Sequence, residues 1–148
     1  MKVLVIDNEP NLRTAIKALL QAFCPEIKTI EEADGVKSGL QKIKAFQPDI
    51  VLLDVEMDDG SGFDLMKQVV NPGFQLIFVT AHNKYAIEAF QFSAIDYLLK
   101  PIDLDELVLA IEKVKVKVSQ SEIAKKFETL LYNIETKNKR LCIPTLQG

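Results

Sequence analysis

The 148-residue chain has no tryptophan, one histidine and only two cysteines, Cys24 and Cys142. Two thiols so far apart suggest neither a disulfide framework nor a zinc knuckle, and both read as ordinary reduced cysteines. No uninterrupted apolar run approaches the roughly 20 residues of a membrane span. Met1 leads directly into the short run Val3 to Ile6, with no signal-peptide core, so a soluble, cytoplasmic protein with no membrane partner is expected. Six glycines and six prolines are too few for a collagen-like or Pro/Gly-rich chain. A formal charge of -3 argues against nucleic-acid binding by this chain itself. What is present is average globular usage, 48% hydrophobic and 26% charged, in a length that fits one core and an appendage. The charge is unevenly placed. Residues 1–111 carry 10 Lys/Arg against 17 Asp/Glu, whereas residues 112–148 carry 8 against 4. The acidic part and the basic tail are expected to do different work.

Short apolar runs, Val3 to Ile6, Ile50 to Leu53 and Leu76 to Val79, alternate with segments of helical spacing. Residues 27–32 form a weaker candidate strand, and Ile95 to Leu99 a fifth. Leu12, Ile16, Leu19 and Phe23 recur every three or four residues, as do Val36, Leu40 and Ile43, and Leu104, Leu107, Ile111 and Val114. Each set gives a helix one core-facing stripe. Pro10 suits a first helical turn, Asp103 with Glu106 reads as a capping pair, and Asn71-Pro72-Gly73 as a turn. Strand and helix alternating five times favour an α/β fold, a five-stranded parallel doubly wound sheet over residues 1–118. In such sheets a ligand site lies beyond the carboxyl ends of the strands, where strand order reverses.

Those strand ends carry Asp7, Asn8 and Glu9 after the first run, Asp54 after the third, Thr80 after the fourth, and Lys100-Pro101 after the fifth. Acids at strand ends also serve as turn formers and helix caps. Four strand ends delivering acids, a hydroxyl and an ammonium to one rim suit chemistry better. Clustered carboxylates repel unless a hard cation lies among them, and Mg²⁺ prefers oxygen ligands while keeping several waters. A carboxylate so placed can attack phosphorus, with the metal and a nearby lysine offsetting charge on the transferring oxygens, to give an aspartyl phosphate. Gly60-Ser61-Gly62 reads as a turn, because the spacing and lysine of a phosphate-binding loop are absent. His82, two residues past Thr80, reads as an exposed loop side chain and receives no role.

The segments VLVIDNEP, VLLDVEMDDGSGFDL, FVTAHNKYAIEAF and AIDYLLKPID occur in that order, and together they resemble the receiver domain of two-component response regulators, a flavodoxin-like fold. The resemblance implies that Asp54 is the phosphoacceptor and Lys100 its phosphoryl contact. It implies a Mg²⁺ site of Asp7, Asn8, Asp54 and the main-chain carbonyl of Glu56. Thr80 becomes the switch hydroxyl, Tyr97 the aromatic switch, and Lys100-Pro101 a cis peptide. Two positions depart from the usual pattern. Asn8 stands where a second acid is common, so weaker Mg²⁺ binding is expected unless Glu9 compensates. Asp58 stands where many relatives have proline, adding an anion near the site.

Beyond the receiver, Ser119 with Glu122 reads as a capping box, and Ile123, Phe127, Leu130, Leu131 and Ile134 keep helical spacing. A linker helix over 119–138 is expected, packed on its own domain or paired in a coiled coil. The closing residues KNKRLCIPTLQG resemble the opening of a LytTR-type DNA-binding domain, so 139–148 would begin an output domain that is otherwise missing. The implied protein is a switch rather than a turnover enzyme. It would take phosphate from a sensor histidine kinase, form a homodimer on activation, and meet DNA only through the missing domain. Two alternatives stand beside it: a degenerate receiver acting as a phosphate-independent interaction module, and an aspartyl-phosphate phosphohydrolase. The latter lacks the usual Asp-x-Asp spacing, since Asn8-Glu9 follows Asp7.

Overall fold

The computed structural model describes residues 1–140. Its order is β1 (Lys2–Ile6), α1 (Pro10–Phe23), β2 (Thr29–Ala33), α2 (Val36–Phe46), β3 (Ile50–Leu53), β4 (Glu56–Met57), β5 (Gly60–Ser61), α3 (Gly62–Lys67), β6 (Gln75–Thr80), α4 (Ala86–Phe90), β7 (Asp96–Leu99) and α5 (Leu104–Arg140). A 3₁₀ turn over Asn83–Tyr85 leads into α4. The five longer strands form one parallel sheet in the order β2-β1-β3-β6-β7. Strand order reverses between β1 and β3, and the carboxyl ends of those two strands flank the crevice.

The apolar runs became strands because both of their faces are covered. Val3 to Ile6 and Ile50 to Leu53 are all buried, which is why they read as continuous runs instead of alternating patterns. The edge strand β2 is half-exposed along most of its length, and its pattern is accordingly weaker. Its observed span falls one to two residues later than 27–32. The stripes of α2 and α5 face the core as spaced, with Val36 buried and Leu40 and Ile43 packed against the cluster, and Leu107, Ile111 and Val114 buried. In α1 the stripe turns differently: Ile16 and Leu20 are buried, while Phe23 is 54% exposed. A repeat of 3.6 residues accommodates Leu19 and Leu20 equally, and Phe23 falls on the last turn as the chain leaves the helix.

Local signals account for several boundaries. Pro10 opens α1. Asp103 Oδ2 accepts from the Glu106 amide at 3.0 Å before α5, and Asn71 turns the chain with a positive φ of 55°. The Ser119–Glu122 pair starts no new helix, because α5 runs through it unbroken. The chain divides into two compact units, Met1–Val114 and Lys115–Gly148. In the second, Ile123, Phe127, Leu130, Leu131 and Ile134 are exposed. Residues 141–148, including Cys142 and most of the expected start of an output domain, lie outside the described residues. Among the described residues no helix is long and apolar enough to cross a membrane.

Candidate functional site

Sheet register places the functional side chains. Ile6 pairs with Leu53, so the next residues, Asp7 and Asp54, emerge side by side where strand order reverses. The Asp54 amide donates to the Ile6 carbonyl at 3.0 Å, fixing that adjacency. Thr80 pairs with Leu99, and the Lys100 amide donates to the Thr80 carbonyl at 2.8 Å. Asp7, Asp54 and Thr80 are the buried polar side chains among the described residues, at 2%, 4% and 0% exposure. Polar groups so deep need partners.

Lys100 supplies them for the two aspartates. Its long stem carries Nζ back across the rim to 3.0 Å from Asp7 Oδ2, 3.2 Å from Asp54 Oδ2 and 3.0 Å from Glu9 Oε1. Burial pulls the ammonium towards neutrality, but hydrogen bonds and attraction from the surrounding carboxylates prevail and hold its pKa above the ordinary lysine value. Asp54 is pushed above the usual aspartate range, first by burial and then by the Asp7 charge, against the opposing pull of Lys100. Its ionised form is the costly one, so protonation persists to a higher pH than for an exposed aspartate. A ¹³C carboxyl titration of the metal-free protein should therefore give Asp54 a midpoint above 3.8. Added Mg²⁺, which favours the anion, should move that midpoint down.

The donor set fits Mg²⁺. Asp7 Oδ2 is buried and accepts no well-formed hydrogen bond, although the Lys100 ammonium lies 3.0 Å away. Asp7 Oδ1 is already used by the Glu9 amide at 2.8 Å. Among the described residues no three His, Cys, Asp or Glu side chains converge into an all-protein cage. Two carboxylates with neighbouring carbonyl or amide oxygens suit an ion that retains water. Asn8, Glu9, Asp54, Glu56, Asp58, Thr80 and Lys100 all line one open cleft of about 320 Å³. Lys100-Pro101 is a cis peptide.

Tyr97 stands apart from this cluster, on β7 beside Phe78 with ring centroids 6.3 Å apart. Its hydroxyl donates to the His82 carbonyl, and burial raises its pKa. The His82 amide in turn donates to Thr80 Oγ1 at 3.4 Å. The histidine given no role from sequence is thus the backbone link between Thr80 and Tyr97. Its imidazole Nε2 also lies 2.9 Å from Glu56 Oε2, while Tyr85 donates to Glu56 Oε1 at 2.6 Å. The Tyr85 hydrogen bond is the main reason that the Glu56 carboxyl sits below the usual range. No short sequence motif announces these contacts, because they join residues 26 to 29 positions apart.

Two further supports of the site come from side-chain caps. Gly60-Ser61-Gly62 is more than a turn: Ser61 Oγ accepts from the Asp64 amide at 3.0 Å while Asp64 Oδ2 accepts from the Ser61 amide at 3.0 Å, a reciprocal cap for α3. The S-G-F-D spacing was available as the signal. Asp59 caps α2 from a distant part of the chain, accepting from the Val36 and Lys37 amides at 2.7 and 3.1 Å. Gly35 permits this by close approach, since a Cβ there would lie 2.6 Å from Asp59 Oδ1.

Residues 3–112 match the response regulator receiver domain family. The chain is 37% identical over 147 residues to the sensory transduction protein LytT of Bacillus cereus, covering 97% of this chain and 58% of that protein. It is 38% identical over 124 residues to the sensory transduction protein LytR of Staphylococcus haemolyticus, covering 82% and 48%. The chain thus spans about half the length of these relatives. Among solved structures, the signal receiver domain of a Luxo repressor protein from Vibrio parahaemolyticus shares the fold with a TM-score of 0.73 at 24% identity, over 82% of this chain and 95% of that one. The response regulatory domain of mrkE from Klebsiella pneumoniae does so with a TM-score of 0.72 at 23% identity, over 81% and 99%. A parallel sheet whose reversal point gathers two buried aspartates under one lysine, and a family match across that whole sheet, place this chain in the response regulator receiver domain family.

Proposed function

We propose that the chain is a cytoplasmic, phosphorylation-dependent switch in which Asp54 accepts a phosphoryl group from a sensor histidine kinase. The reading rests on one observation above all: Asp7 and Asp54, both buried, share the Lys100 ammonium at an open cleft. An Asp54 carboxylate oxygen attacks the phosphorus of a phosphohistidine. The P–N bond breaks, its electron pair stays on the imidazole nitrogen, and an aspartyl phosphate forms. Lys100 lies where it offsets charge on the transferring oxygens. Asp7, Asn8, Asp54 and the Glu56 main-chain carbonyl would hold Mg²⁺, which when bound supplies further neutralisation of those oxygens.

Phosphorylation replaces the single carboxylate charge of Asp54 with a phosphoryl group carrying nearly two, a net gain of about one, and brings three acceptor oxygens, which draw the Thr80 hydroxyl towards Asp54. That movement loosens the His82 amide contact and, through the His82 carbonyl, the hydroxyl of Tyr97. The result biases the surface of α4, β7 and the start of α5, where Ile87 and Phe90 are exposed, towards pairing with a second copy. The named LytT and LytR relatives and the closing KNKRLCIPTLQG support a LytTR-type transcriptional output, with DNA met through that domain alone.

Intact-mass measurement after acetyl phosphate and Mg²⁺ tests the central step. The parent should gain one phosphoryl adduct and Asp54→Ala none. An adduct on both proteins would move the acceptor elsewhere. An adduct on neither would favour the phosphate-independent interaction module, for which Asn8 is the supporting observation.

A further inference from the structure

We propose that Asp58 supplies the metal pocket with the carboxylate that Asn8 lacks, an inference that rests on the Mg²⁺ reading of that pocket. The two departures from the usual receiver pattern are 50 residues apart in sequence, yet they touch: Asn8 Nδ2 donates to Asp58 Oδ1 at 3.3 Å. Both line the same cleft as Asp54. A neutral amide hydrogen-bonded to a carboxylate carries the same formal charge as the acid it replaces. The bond also does geometric work. An amide offers a donor at one end and an acceptor at the other, and anchoring Nδ2 on Asp58 leaves Oδ1 free to face a cation or its water.

Neighbouring acids are committed elsewhere. Glu9, the other candidate for compensation, shares the one Lys100 ammonium with Asp7 and Asp54, whereas Asp58 is the acid hydrogen-bonded to Asn8, and Glu56 is held by Tyr85 and His82. Asp59, next in sequence to Asp58, is turned away to cap α2 through both of its oxygens. Asp58 is therefore the acid whose side-chain hydrogen bond ties it to the strand-end amide. Proline at this position would supply neither charge nor a side-chain acceptor.

Calorimetric titration of the full 148-residue chain with MgCl₂ at moderate salt, without any phosphodonor, tests this directly. Asp58→Ala should weaken Mg²⁺ binding about tenfold, at the low end of the range for an outer partner of a metal ligand. Adding Asn8→Asp to that variant should restore the parent affinity to within about twofold, because the acid is then supplied from the first strand end. Asp59→Ala, a control for diffuse surface charge, should lower the melting temperature but shift Mg²⁺ affinity less than about twofold. The proposal is overturned if Asp58→Ala binds as the parent does, if Asp59→Ala weakens binding equally, or if the double variant stays weak. Absence in the parent of both binding heat and any Mg²⁺-induced rise in melting temperature would instead remove the Mg²⁺ reading itself, and this inference with it.

Discussion

Lys100→Ala should lower the stability of the metal-free protein by about 3 kcal/mol and slow phosphoacceptance roughly 100-fold, while making the protein more responsive to Mg²⁺. The stability loss follows from what is left behind. Asp7 and Asp54 are almost fully buried, and without the ammonium 3.0 and 3.2 Å away their charges repel with no protein cation between them. The pKa of Lys100 is raised, so its stabilising effect is fully present below the ordinary lysine value and is lost only as pH rises through the higher folded one. Measurements near pH 7 therefore see the whole contribution. Mg²⁺ and the ammonium compete for the same carboxylates, so removing Lys100 should tighten metal binding and enlarge the rise in melting temperature that Mg²⁺ produces. Thermal melts with and without Mg²⁺, beside a mass-spectrometric time course with acetyl phosphate, check both halves. Equal protection of parent and variant by Mg²⁺ would mean that the lysine does not occupy the cation position.

Gly62→Ala is the second large effect, and it reaches Asp54 without touching any charged group. A Cβ at residue 62 would lie 2.4 Å from the Asp54 carbonyl oxygen and 3.0 Å from Leu53 Cγ. The first of these is main chain and cannot step aside as a flexible side chain would. Either α3 retreats, straining the Gly62 amide bond to the Val55 carbonyl at 2.8 Å, or the β3 end carrying Asp54 shifts. We expect a loss of about 3 kcal/mol, at the upper end for overpacking, together with slower phosphorylation. In a domain stabilised by some 5–15 kcal/mol that is a large fraction. Gly73→Ala is the control: nothing lies within 4 Å of its added Cβ, and the change should be neutral or slightly stabilising. Denaturant melts of the two variants decide the matter; equal midpoints would show that the contact at Gly62 yields at no cost.

The outline of the site was legible because strand ends are marked by chemistry. An apolar run that stops at an acid, a threonine or a lysine is visible in one dimension, and Asp7, Asp54, Thr80 and Lys100 were found that way. Their companions were not. His82 looked like a stray loop residue, and its carbonyl meets Tyr97 only because the loop after β6 folds over the edge strand β7. Asp59 carries no local signal of its role, and only the approach of α2 to the turn between β4 and β5 makes it a helix cap. The exposure of Phe23 has a related origin, since periodicity names a face without saying where the core ends.

By itself, then, the sequence determined the alternation of strand and helix and the parallel sheet that follows from it, because two-sided burial demands unbroken apolar runs and helices demand a stripe. It also determined which residue types stand at the rim. Tertiary structure alone decided which of them meet. Sheet register set Asp7 beside Asp54, the reach of one lysine stem joined them to Glu9, and loop closure brought Asp58 to Asn8. The reason is physical: local pattern records the burial of each residue, whereas distances of 3 Å between residues 46 to 91 positions apart exist only once the whole sheet has closed.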